Sequence, residues 1–202
     1  MRHLLCIPVF FSLVLHASLT SASTLPQPLH FTWLSGTFEQ QRELTGVARP
    51  FASSGHFLVE PDLGLLWVQE VPFGLTLVFK QDVLIQQTEG GEDEVLMVSD
   101  HPVLEVFELV LGYLLALDLE ALTNYFKIAE VSMDSSGEWV LMLVAEDSRI
   151  ASVFTQVTLR GKDFLYEAQL KDTSGDSTRL FFSDQQLSHS PLPEADRARF
   201  FP

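Results

Sequence analysis

Four histidines lie beyond the N-terminal segment: His30, His56, His101 and His189. None of them forms a His-x-x-x-His pair, and no cysteine accompanies them, so a metal site is not expected. His56 falls in a strand pattern, where an imidazole is more often a partly exposed side chain than a catalytic base. The acidic run Glu89, Glu92, Asp93 and Glu94 lacks the alternating ligand spacing of a calcium loop and reads as a solvated hairpin tip. Asp172 and Asp176 flank a glycine turn and read the same way. The sequence holds no Gly-x-Ser-x-Gly elbow, no phosphate-cradling glycine loop, no dinucleotide fingerprint and no carboxylate pair spaced for acid–base work. Neither a catalytic residue nor a cofactor follows from these types and spacings. Trp33, Trp67 and Trp139 are core or cavity candidates.

The chemistry that remains is apolar. Residues 103–117 read as a helix whose only charged members are Glu105 and Glu108. At 100° per residue these two share a stripe roughly 60° wide with Gly112. A helix packed on one sheet needs an apolar stripe of only about 100°. This one is apolar nearly all round, so it is a central helix inside a curled sheet, a lid over an apolar cavity, or both at once. His101 or Asp100 could cap it, and Asp118 caps a second helix over residues 119–125.

The elements that must position this helix alternate with a period of two. Strands are expected at 37–44, 54–59, 64–70, 75–80, 83–88 and 95–98. After the helical insert they resume at 126–133, 138–145, 152–160, 164–171 and 177–185. Turn-length gaps make neighbours antiparallel, and a sheet of this many strands curls. One face is apolar, which makes Phe38, Phe57, Val59, Trp67, Leu77, Phe79, Val157, Tyr166, Leu180 and Phe182 the expected cavity lining. Phe107, Val110, Leu111 and Leu114 would face it from the helix. A register slip of one residue inverts any strand's set.

Composition bounds the partners. The chain has 202 residues, 12 Lys+Arg against 27 Asp+Glu, and a net charge of −15, which excludes nucleic acid and electrostatic docking on anionic lipid. Residues 1–22 read as a cleavable signal peptide: Arg2, an apolar run from Leu4 to Leu15, then small residues ending at Ala22. The single cysteine, Cys6, leaves with it, so the mature chain is held by its core alone in an oxidising compartment.

Several stretches resemble one family in order. They are Leu34-Ser35-Gly36-Thr37-Phe38-Glu39-Gln40, then Gly55-His56-Phe57-Leu58-Val59-Glu60-Pro61, Gly64-Leu65-Leu66-Trp67-Val68 and Val71-Pro72-Phe73. The helical insert, Phe126, Trp139 and Gly175-Asp176 follow. Together, over residues 29–187, they resemble the periplasmic outer-membrane lipoprotein carrier protein, LolA, with this chain as a divergent relative. The resemblance implies a mainly β fold with a helical lid (α+β), a half-open antiparallel β-barrel of about 11 strands over a hydrophobic cavity. It also implies a periplasmic carrier of lipid or lipoprotein acyl chains, loaded by inner-membrane export machinery and unloaded on an outer-membrane acceptor. The carrier has a basic latch residue just before the first of those prolines; Glu60 stands there in this chain. An acceptor of similar fold would carry a lipidated cysteine at its mature start, which favours a free, monomeric shuttle here. The domain plan is a signal peptide at 1–22, a lipid-binding domain at 23–190 and an extended C-terminal tail at 191–202. The alternatives are an envelope sensor or regulatory binding module of the same fold, or an enzyme acting on a lipid-linked substrate.

Overall fold

The computed structural model describes residues 25–80, 82–100, 104 and 111–201. The expected signal peptide and, in the expected lid, Phe107 and Val110 lie outside these residues. Among these residues there are eleven strands: β1 Trp33–Glu43, β2 Phe51–Glu60, β3 Gly64–Val71, β4 Leu75–Lys80, β5 Val83–Thr88, β6 Glu94–Met97, β7 Phe126–Met133, β8 Trp139–Ala145, β9 Phe154–Gly161, β10 Leu165–Asp172 and β11 Ser177–Ser188. They form one open antiparallel sheet in the order β6-β5-β4-β3-β2-β1-β11-β10-β9-β8-β7. The mainly β class expected from the alternation is the class observed. The two chain halves are each a plain meander, and among the described strands the β1–β11 ladder is the one pairing between them.

Two of the hairpins share one turn chemistry. Asp134-Ser135-Ser136-Gly137-Glu138 joins β7 to β8, and Asp172-Thr173-Ser174-Gly175-Asp176 joins β10 to β11. In each, the first Asp carboxylate accepts the amide and hydroxyl of the serine two residues on, and the amide four residues on. The chain then turns through a left-handed glycine, Gly137 at φ 85° and Gly175 at φ 89°. These bonds hold the Asp134 carboxyl below its usual range, with the Ser136 hydroxyl the largest cause. At Asp176 the Thr45 amide has the same effect.

The sheet's inner face follows the alternation except at β-bulges. Leu165 pairs with Gly161 but Glu167 pairs with Arg160, so Tyr166 is an extra residue in β10. The bulge turns Leu165 inward and leaves Tyr166 outside, 38% exposed. Tyr166 is therefore not on the expected cavity face. A second bulge lies in β11, where Asp184 and Gln185 together face Gly36 and Asp184 takes a left-handed φ of 50°. Gly36 sits opposite that bulge because the Phe57 ring lies against it; a Cβ there would stand 2.8 Å from the ring.

The described residues between edge strands β6 and β7 are mostly helical. They hold a 3₁₀ turn at Val98–Asp100, a helical Leu104, helix α1 at residues 111–116, and helix α2 at Leu119–Leu122. Asp118 caps α2, as expected, by accepting the Ala121 amide at 3.0 Å. Helix α1 ends in a Schellman motif: the Asp118 amide donates to Tyr113 at 2.9 Å and the Leu117 amide to Leu114 at 3.2 Å. The left-handed position of that motif usually carries glycine, yet here it is Leu117 at φ 52°, buried at 2% exposure. The Leu29 amide satisfies the Ala116 carbonyl at 2.8 Å, tying the N-terminal segment to the end of α1.

Two further helices depart from the expected pattern. Helix α3, Ser148–Val153, takes the first residues of the strand expected at 152–160. Asp147 caps it by accepting the Arg149 and Ile150 amides, and Ile150 is buried. The tail expected to be extended contains helix α4, Glu194–Ala198. It returns along the outer face of the sheet, where Phe200 is fully buried among Leu58, Leu63, Leu66 and Val78. Outward-pointing leucines on β2 and β3 make that outer seat apolar enough to hold the chain's end.

Candidate functional site

The inner face and the helical segment form one continuous apolar cluster. Eight of the expected lining residues meet in it: Phe38, Phe57, Val59, Trp67, Phe79, Val157, Leu180 and Phe182. Leu77 packs on its margin. From the helix, Leu111 and Leu114 are buried in the same cluster, joined by Leu115. The spacing of these three, i, i+3 and i+4, puts them on one side of α1.

The aromatic floor is ordered. Phe38 stacks on Trp67 with ring centroids 3.7 Å apart and 22° between planes. Phe57 lies 6.4 Å from Trp67 and meets the edge of Phe182 at 5.7 Å. Residues on the far half of the sheet, Leu141, Leu143 and Leu159, complete the wall. Their own two-residue alternation with Val157 could have placed them there. Leu65 and Leu84 were equally legible as inward positions of β3 and β5.

The chemistry of this face is exclusion of water. Among the described residues the buried hydrophobic side chains are many, and the one buried charged residue is Glu60. Its carboxylate accepts the Leu63 amide at 2.7 Å, so it organises the turn from β2 to β3. The position where the resemblance implies a basic latch thus holds a turn-forming acid. Among the described residues there is no group of His, Cys, Asp or Glu able to hold a metal ion. No described helix is long and apolar enough to cross a membrane.

The polar groups that do converge lie on the outer face. Thr37 hydrogen-bonds Ser183 between hydroxyls at 2.8 Å and donates toward Asp184 at 3.3 Å. His56, the cross-strand partner of Thr37, bonds Glu70 through Nδ1 at 3.1 Å. Its Nε2 accepts from the Arg199 guanidinium at 2.9 Å. A base whose free nitrogen is already taken by an arginine cannot activate the Thr37 hydroxyl, so this row is not a nucleophile and its base. Arg199 and Phe200 were missed in the sequence; the Arg199-Phe200-Phe201 run was the signal that the end of the chain is anchored.

No family model and no curated protein matches the chain. Solved structures of similar fold include the following three. The first is a LolA superfamily protein from Nitrosomonas europaea, at 13% identity over 83% of this chain and 90% of that one, TM-score 0.45. Another is a DUF1329 family protein from Desulfovibrio piger, at 8% identity over 82% and 89%, TM-score 0.43. The third is a domain from Vibrio parahaemolyticus named for outer membrane lipoprotein sorting, at 14% identity over 84% and 91%, TM-score 0.37.

Proposed function

We propose that this protein is a periplasmic carrier that binds acyl chains of lipoproteins or other lipids between its curled sheet and the helix over it. In this reading it travels as a monomer from an inner-membrane loading machine to an outer-membrane acceptor. The observation that carries the reading is the continuous apolar inner face roofed by Leu111, Leu114 and Leu115, with no buried ionisable group among its described residues. In the closed arrangement these leucines fill the space that cargo would use. Three buried leucines contribute roughly 6 kcal/mol, at about 2 kcal/mol each. A twelve-carbon chain contributes on the order of 10 kcal/mol, at about 0.8 kcal/mol per CH₂. Cargo therefore offsets the loss of the roof contacts by a margin small enough to allow both loading and release.

The test is extraction of the purified protein for mass spectrometry of bound lipid, together with displacement of a fluorescent fatty acid. Lipid in the extract and saturable displacement are expected. Leu111→Glu places a charge in the roof and should abolish displacement while the β-sheet circular dichroism signal is kept. An empty extract and no displacement by the native protein would remove the carrier reading.

A further inference from the structure

The contact between Arg199 and His56 has a property that its neighbours lack: it exists for only one charge state of the imidazole. An arginine guanidinium has donors and no acceptor. Its 2.9 Å bond to His56 Nε2 therefore requires that nitrogen to carry a lone pair. Nδ1 then carries the proton and donates it to Glu70 at 3.1 Å. A second proton on His56 would set an N–H against an N–H and place two positive charges within hydrogen-bond distance.

We propose that the C-terminal segment is a pH-sensitive clasp, held on the outer face by the neutral form of His56 and loosened when that imidazole is protonated. The groups that face His56 from each packed element are few. Glu70 lies on β3, and Thr37 on β1 is its cross-strand neighbour. Arg199 comes from the tail, with Asp196 at 3.7 Å from its guanidinium. Asp184, after β11 has passed Ser183, lines the same groove of about 400 Å³. Glu70 stays attractive to the protonated ring, and the repulsion falls on Arg199 alone. Protonation thus transfers His56 from the tail to the sheet.

The rest of the tail's anchorage does not titrate with His56. Phe200 is buried in the outer seat, and Lys80 lies over the Phe201 ring at 3.8 Å. Acid therefore loosens the segment rather than freeing it. Losing a hydrogen bond to a charged group should change its opening equilibrium about tenfold or more.

Hydrogen exchange followed by mass spectrometry, corrected for intrinsic rates, reads this directly. The amides of Arg199, Phe200 and Phe201 are bonded to Asp196, Arg197 and Ala198 within the segment. Their protection in the native protein should fall about tenfold between about pH 8 and about pH 5, the span in which histidine side chains generally change charge. His56→Gln keeps an acceptor that does not titrate, so its protection should stay high and flat across that span. Arg199→Ala should be equally flat but at the lower level that the native protein reaches in acid, which keeps the test sound if the glutamine variant folds poorly. Flat protection in the native protein, or the same fall in either variant, would overturn the clasp. Lipid binding plays no part in this readout.

Discussion

The most exacting prediction concerns Leu117, a leucine held in a conformation that glycine adopts freely. Its φ of 52° places it in the left-handed region, and its side chain is buried in the inner cluster. The strain of that conformation is roughly 1–2 kcal/mol for a residue with a Cβ. A single truncation cannot reveal it, because Leu→Ala at a buried site costs about 2–5 kcal/mol in lost packing. The informative quantity is the further step from alanine to glycine, compared at two positions. At Leu115, buried in the same cluster but inside helix α1, that step should cost about 1 kcal/mol. At Leu117 the same methyl is removed and the same chain entropy gained, but the strain is released. The step at Leu117 should therefore be about 1–2 kcal/mol more favourable than at Leu115. Urea denaturation of the four variants, read as midpoint and slope, measures both steps. Equal steps at the two positions would show that the end of α1 is unstrained and that the Schellman reading of its hydrogen bonds is mistaken.

The remaining predictions are simpler. Gly36→Ala drives a Cβ to 2.8 Å from the Phe57 ring and 3.0 Å from Gln185, so it should destabilise by about 1–3 kcal/mol. A thermal melt should record this as a drop of roughly 2–4 °C per kcal/mol, and an unchanged melt would show that the Phe57 ring is not fixed. Asp134 is held below its usual 3.8 by bonds from Ser136 and the amides around it. Because its folded value is depressed, its contribution is present above the usual carboxylate range and is lost as pH falls through the folded value. A carbon-detected titration should find this carboxyl still ionised at the pH where exposed aspartates are half protonated; titration at or above 3.8 would refute the turn chemistry.

Much of the sheet was legible because alternation and glycine turns are local signals. Phe38, Phe57 and Trp67 could be placed on one face from sequence alone, since β1 to β3 run with few interruptions through them. Tyr166 could not. A bulge changes the phase of a strand without changing its composition, and Leu165 and Tyr166 are both acceptable on either side of it. Helix α3 was hidden for another reason: Ser148–Val153 is one short turn and a half, fixed by its Asp147 cap and by burial of Ile150 rather than by periodicity. The tail was misread because prolines at 191 and 193 signal extension, while the anchorage comes from Phe200 finding a seat built by Leu58, Leu66 and Val78 far away in sequence. Of the expected roof, Leu111 and Leu114 follow from helical spacing and a composition too apolar for one-sided burial.

The strand order has a consequence for how the chain reaches this state. Trp33 pairs with Ser188, so the two ends of the sheet-forming chain lie side by side at the centre of the sheet. Cut within the segment between β6 and β7, and joined from Ser188 to Trp33, the same eleven strands would run as one uninterrupted meander from β7 to β6. The natural sequence is thus a circular permutation of a fold with only local pairings. The β1–β11 seam is the ladder whose partners are most distant along the chain, and its closure carries the largest loop entropy of any pairing in the sheet. Each half can zip independently by neighbouring hairpins, and a high-contact-order step then welds them. The slow stage of assembly should lie at that central seam, not at the open edges of the sheet.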